Sequence, residues 1–120
     1  MHILIVDDNK SMRNILRRSL ILGGFDDLTI SEAANGKEAL EQYHSQIPDL
    51  ILSDWNMPVM DGLDLLQAIR EENKDILFGF VTARNNSKLR KNAQIHGAHF
   101  LLSKPFTPEM LNTTIQSIIS

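Results

Sequence analysis

The sequence predicts an α/β fold in which five parallel strands carry helices on both faces. Three observations lead there. Short apolar runs alternate with helical patterns along the whole length, turn residues fall between them, and each connection between strands is long enough for a right-handed crossover. At 120 residues the chain is expected to be one domain, 1–120, that buries roughly two thirds of the surface exposed when unfolded.

Ile3 to Val6 is a continuous, largely β-branched run, which marks a strand covered on both faces, and the carboxylates of Asp7 and Asp8 stop it. In the helix that follows, Met12, Ile15, Leu16 and Leu20 recur at steps of three and four, with Ser11 as the expected cap and Gly23-Gly24 as the stop. Leu28 to Ala33 reads as a second strand, and Gly36 to Gln46 as a helix with Ala39, Leu40 and Tyr43 on one side. Leu50 to Ser53 is the third strand, ending at Asp54. From Trp55 to Gly62 a loop is expected, because Pro58 and the Asp61-Gly62 pair resist regular structure; Asp61 suits a turn or cap. A helix bearing Leu65, Leu66 and Ile69 comes next.

Ile76 to Val81 forms the fourth strand, which ends at Thr82, and Ser87 to Ile95 is a helix with a thin apolar stripe closed by Gly97. His99 to Ser103 is the fifth strand. Thr107-Pro108-Glu109 then supplies a cap, a proline at the first helical position and an acid in the first turn of a helix lined by Leu111, Ile115 and Ile118.

Composition narrows the chemistry. With no Cys, a thiol nucleophile, a thiolate-bound metal and a disulfide framework are excluded, and a reducing compartment, the cytoplasm, is the expected location. A formal charge of −3 argues against generic nucleic-acid binding, and no apolar run approaches the about 18 residues that span a bilayer. Neither nucleic acid nor membrane is an expected partner. His2, His44, His96 and His99 form no metal-ligand pattern.

Ligands of such sheets sit beyond the carboxyl ends of the strands. The residues there are Asp7 and Asp8, then Asp54, Thr82 and Lys104. In the common strand order 2-1-3-4-5, three carboxylates, a hydroxyl and an ammonium share one pocket. Clustered carboxylates repel one another unless a cation is present, and an all-oxygen donor set favours Mg²⁺. A metal, a Lys point charge and a hydroxyl donor around a carboxylate are what phosphoryl transfer requires, and the carboxylate itself can be the nucleophile. Asp54, alone on the central strand, is the candidate phosphoacceptor.

Ile3-Leu4-Ile5-Val6-Asp7-Asp8, Asp54-Trp55-Asn56-Met57-Pro58 running on to Met60-Asp61-Gly62, Val81-Thr82-Ala83 and Lys104-Pro105-Phe106 together resemble the response-regulator receiver domains. The resemblance covers essentially the whole chain. It implies a flavodoxin-like (βα)5 fold and phosphorylation of Asp54 by a partner histidine kinase. Asp8, Asp54 and the backbone carbonyl of Asn56 would hold Mg²⁺, and Asp7 would orient metal-bound water. Thr82 would move to the phosphoryl group, Lys104 would pair with it, and the Lys104-Pro105 bond would be cis. The protein would be a switch, not an enzyme beyond self-catalysed phosphoryl acceptance and autodephosphorylation.

With no output domain expected, the signal would pass by contact on the surface of the fourth helix, fifth strand and fifth helix. Chemotaxis through flagellar motor control, with the protein a monomer, is the leading expectation; a stand-alone receiver of another phosphorelay or a phosphorylation-independent binding module is the alternative. An aspartyl-nucleophile phosphatase is disfavoured, because it needs two acids spaced by one residue where Asp7 and Asp8 are adjacent. A flavin-type cofactor binder is disfavoured too, since Asp7-Asp8 would repel a phosphate.

Departures from the family pattern concern readout. Leu101 stands where the family usually has Tyr or Phe, with Phe100 expected on the opposite strand face. Arg84, Lys88, Arg90 and Lys91 put four positive charges in eight residues without an acid, a candidate docking face. Trp55 reads equally as a partner-binding aromatic or as a loop Trp that packs locally.

Overall fold

The structure, a computed structural model, describes residues 1–119. Its elements run β1 (His2–Val6), α1 (Lys10–Leu22), β2 (Thr29–Ala33), α2 (Gly36–Ser45), β3 (Leu50–Ser53), α3 (Gly62–Glu72), β4 (Leu77–Thr82), α4 (Ser87–Ile95), β5 (Phe100–Ser103) and α5 (Pro108–Ile119). All strand pairs are parallel, in the order β2-β1-β3-β4-β5. The expected order and the five β–α pairs are present.

The period-two alternation of the strands sorts the core into two layers. Leu4, Val6, Ile51, Phe78, Phe80 and Leu101 face α2, α3 and α4, where Tyr43, Leu65, Leu66, Ile69 and Leu89 meet them. Ile3, Ile5, Leu50, Leu52 and Val81 face α1 and α5, against Leu16, Leu20, Leu111 and Ile115. Phe100 and Leu101 fall on opposite faces as expected. The Phe100 ring occupies the space over Gly79, where any Cβ would come within 2.1 Å of it.

Several local expectations shift. The cap of α1 is Asn9, whose Oδ1 accepts from the Met12 amide at 3.0 Å, so the helix starts before Ser11. Asn35 and Asn86 cap α2 and α4 in the same way. Asp61 caps α3, accepting from the Asp64 amide at 2.9 Å, and Thr107 Oγ1 receives the Met110 amide at 3.0 Å. Ile15, expected in the buried stripe, is exposed, while Ser19 is buried and bonds back to the Ile15 carbonyl at 2.8 Å. Trp55 is 5% exposed, its ring 4.5 Å from that of Phe80. It packs locally, in the core instead of on the surface. α4 is thinly anchored: Leu89 and Ala93 are its buried residues.

Edge strand β2 is fixed by charge. Glu32 accepts from Arg13 Nε at 2.9 Å and Arg17 Nη2 at 2.7 Å. The hydrogen bond from Arg17, aided by Arg13 against the cost of burial, lowers the Glu32 pKa.

Where α3 begins, the backbone runs hard against the end of β3. A Cβ at Gly62 would sit 2.1 Å from the Asp54 carbonyl oxygen and 2.9 Å from the Phe80 ring. Backbone cannot yield as a side-chain tip can. Gly62→Ala is therefore expected to cost about 2–3 kcal/mol, as overpacking in a close-packed region does, read as a lower urea midpoint at unchanged slope.

Candidate functional site

The site is assembled at the carboxyl ends of β1, β3, β4 and β5. Register places Val6 beside Ser53, Ser53 beside Phe80 and Thr82 beside Ser103, so the residues that follow these strands emerge side by side. The ladder continues past the strands. Asp54 N donates to the Val6 carbonyl at 2.9 Å, Asp7 N to Ala33 at 3.1 Å and Lys104 N to Thr82 at 2.9 Å. The acidic and basic side chains are thus set by backbone geometry before any of them touches.

Asp7 is 1% exposed. Its Oδ1 accepts from the Asn9 amide at 2.9 Å, its carbonyl from Arg13 Nη1 at 2.7 Å, and its Oδ2 from Lys104 Nζ at 2.8 Å. Asp54 Oδ1 accepts from the Trp55 amide at 2.7 Å, and its Oδ2 takes the second Lys104 bond at 3.2 Å. One ammonium therefore joins the first strand to the third from the end of the fifth. Burial works against the Lys104 charge, but the hydrogen bond to Asp7 and the field of Asp54 outweigh it, raising its pKa. The Lys104-Pro105 bond is cis, as the resemblance implies.

Asp8 is exposed, and carboxylate oxygens of Asp7, Asp8 and Asp54 lie within 4.8 Å of one another. Among the described residues this is the acid, His or Cys group with metal-ligand spacing, and the four histidines contribute nothing to it. Three carboxylates against one ammonium leave a charge of −2. The donor set is all oxygen, and it fits a hard divalent cation such as Mg²⁺.

Thr82 is buried beside this cluster, its Oγ1 accepting from the Arg84 amide at 3.2 Å. The hydroxyl hydrogen stays available for another acceptor. Asn56 Oδ1 accepts from Arg84 Nη1 at 3.3 Å, which spans the gap between the loops after β3 and β4.

Asp7, Asp8, Asp54 and Lys104 are thus brought together, with Thr82 and Asn56 alongside. The sequence reading missed Arg13, which fixes the Asp7 carbonyl, and Gly62, which lets α3 approach Asp54. It also read the basic run as one face. Arg84 and Arg90 instead turn to intramolecular acceptors, and Lys88 and Lys91 line the outer side of α4 with Asn92 and Ile95.

Comparison with known proteins agrees with this geometry. The family described as "Response regulator receiver domain" matches residues 3–116. The chemotaxis protein CheY of Pseudomonas aeruginosa is 39% identical over 120 residues, covering 98% of this chain and 95% of its own. The sensor protein EvgS of Escherichia coli is 35% identical over 97% of this chain, which spans 9% of that much longer protein. Among solved structures, the CheX-CheY complex of Borrelia burgdorferi, determined with BeF3 and Mg²⁺, superposes with a TM-score of 0.91 at 28% identity, covering 100% of this chain and 90% of the other.

Lys104→Met is expected to destabilise the fold by about 2 kcal/mol in EDTA, because it leaves buried Asp7 facing Asp54 without a counter-charge; the figure is discounted from fully buried pairs for the 14% exposure of Lys104 and Asp54. Added Mg²⁺ should recover much of that loss. In the wild type, the stabilisation that goes with the raised Lys104 pKa is complete below its ordinary 10.5 and disappears as pH climbs through the elevated value. Urea midpoints above that pH should converge for the two proteins; a constant gap would contradict the assignment.

Proposed function

The chain belongs to the response regulator receiver domain family, and from that premise we propose that it is a phosphorylation-controlled switch with Asp54 as phosphoacceptor. The observation that carries this reading is the Lys104 ammonium bonded to Oδ2 of both Asp7 and Asp54. A half-buried cation at the rim of an acidic cluster suits a site that receives a phosphoryl group, because such transfer is mostly positioning and charge neutralisation.

In the proposed reaction an Asp54 carboxylate oxygen attacks the phosphorus of a phosphohistidine on a partner kinase. A P–O bond forms, the P–N bond breaks, and the departing imidazole keeps the electron pair. Asp8, Asp54 and the backbone carbonyl of Asn56 would hold Mg²⁺, with Asp7 acting through water. Bound there, the ion supplies neutralisation of the charge on the transferring phosphoryl group. Lys104 keeps one phosphoryl oxygen as a partner after the transfer, and Thr82 donates its free hydroxyl hydrogen to another. Loss of the phosphoryl group is by hydrolysis at the same site, and no further substrate is turned over.

Relatives named for chemotaxis match this chain over almost their whole length, which favours a switch that signals by contact, in chemotaxis and toward a flagellar motor component. EvgS shows that similar sequence also serves within a sensor protein, so a receiver of another relay is the second reading. In either case the exposed Lys88 and Lys91 on α4 suit an acidic protein surface, and we assign the face of α4, β5 and α5 to the downstream partner.

Incubation with acetyl phosphate tests the chemistry. Intact mass should show one phosphoryl group on the wild type with Mg²⁺, and none without Mg²⁺ or on Asp54→Asn. An adduct that survives Asp54→Asn would move the acceptor elsewhere.

A further inference from the structure

Three hydrogen bonds, joined by one backbone step, lead from the phosphoacceptor pocket to the outer strand of the sheet. It begins at Thr82 Oγ1, which receives the Arg84 amide at 3.2 Å. The next residue, Asn85, presents Oδ1 to Arg90 Nε at 2.9 Å, and Arg90 Nη1 donates to the Leu101 carbonyl at 3.1 Å. One guanidinium thus ties the β4–α4 loop, through α4, to edge strand β5. Its planar fork can hold two acceptors at once, which a lysine cannot do with the same geometry.

Asn85 and Arg90 are exposed, but the apolar hold that their bond supplements is small. α4 has Leu89 and Ala93 as its buried residues, a small apolar hold for a helix of 9 residues. Arg90 also lines a groove of about 300 Å³ with Ala93, Gln94, Ala98, Phe100 and Leu101. Leu101 is a compact side chain packed into the core, so the opening beside it is bordered by the guanidinium and not filled by a ring.

We propose that Arg90 is a latch that holds α4 and β5 in the resting arrangement and is released when Asp54 carries a phosphoryl group. The proposal rests on the reading of Asp54 as phosphoacceptor. Thr82 Oγ1, drawn toward a phosphoryl oxygen, carries the bonded Arg84 amide with it. That displaces the backbone at Asn85 and with it one of the two acceptors that hold Arg90. Free of Asn85, the guanidinium leaves the Leu101 carbonyl and the groove between α4 and β5 widens. The contact is made in one state only, so it biases the equilibrium between the two.

Coupling is reciprocal, and this gives the test a sign. Removing a contact present only at rest must favour the phosphorylated form and tighten binding of a phosphoryl analogue. Simple loss of a positive charge would instead weaken binding of an anion. Beryllofluoride with Mg²⁺ is titrated against wild type, Arg90→Ala, Arg90→Lys, Asn85→Ala and the Arg90→Ala/Asn85→Ala double variant, with Trp55 fluorescence as readout; hydrogen exchange follows the amides of β5, and thermal unfolding confirms that each variant is folded.

Each single variant should bind the analogue about fivefold tighter, the double variant no tighter than either, and β5 amides should exchange faster before any ligand is added. Wild type that binds while the variants bind equally or more weakly overturns the latch alone. A wild type that takes up no analogue overturns the phosphoacceptor reading and the latch with it.

Discussion

Mutual repulsion among three carboxylates at the ends of neighbouring strands is the constraint around which this molecule is arranged. Asp7, Asp8 and Asp54 lie within 4.8 Å, a spacing that costs free energy in any fold that lacks a compensating cation. Lys104 supplies part of the compensation, and its delivery requires almost everything else. The strand order must bring β5 to the same rim as β1 and β3, and the backbone must carry the ladder one residue past β5 so that the ammonium points inward. The remaining two negative charges are the opening for chemistry, since a site neutralised completely by the protein would have no need of an exchangeable ion.

The apolar layers answer to that rim. Trp55 follows the central acid, and its amide holds Asp54 Oδ1 while its ring lies on Phe80. Gly62 admits the start of α3 against the Asp54 carbonyl. Asp54 is thereby fixed from the side chain, from the backbone and from the next residue's ring. Asp7 is held as firmly by Asn9 and Arg13. Beside these multiply bonded groups, the Thr82 hydroxyl is tied by one bond at 3.2 Å and keeps its hydrogen for another acceptor.

How much of this was legible in the sequence depended on reach. The strand runs and their terminal acids are short-range signals, read from period and from what stops each run, and β3, α4 and the pocket at Asp7, Asp8, Asp54, Thr82 and Lys104 were all visible that way. The common order of such sheets then placed the ends together. Helix starts were less legible: Asn9, Asn35 and Asn86 cap because their short amides reach an amide three residues on, but asparagine in a loop looks the same whether it caps or not. Trp55 was undecidable because its burial depends on Phe80, on another strand. Arginine was the hardest. Its long stem lets Arg13, Arg84 and Arg90 find acceptors on other elements, so a cluster that reads as one positive face separates into two tied guanidiniums and two ammoniums that bond to no partner among the described residues.

That separation bears on why a thinly packed helix sits next to a densely bonded pocket. A helix anchored by many apolar side chains would resist any rearrangement that a single hydroxyl could drive, since cores are close-packed and tolerate little displacement. α4 is held instead by Leu89, Ala93 and directional hydrogen bonds through Arg90. Such bonds contribute modestly while intact and are lost over a few tenths of an ångström, which makes them responsive to small shifts. The outward lysines keep their charge in either arrangement, so a partner drawn to Lys88 and Lys91 would meet the same field but a different groove. Recognition by charge and discrimination by shape are thereby assigned to different side chains of one short helix, and the rim that chemistry requires can stay rigid while the surface beside it moves.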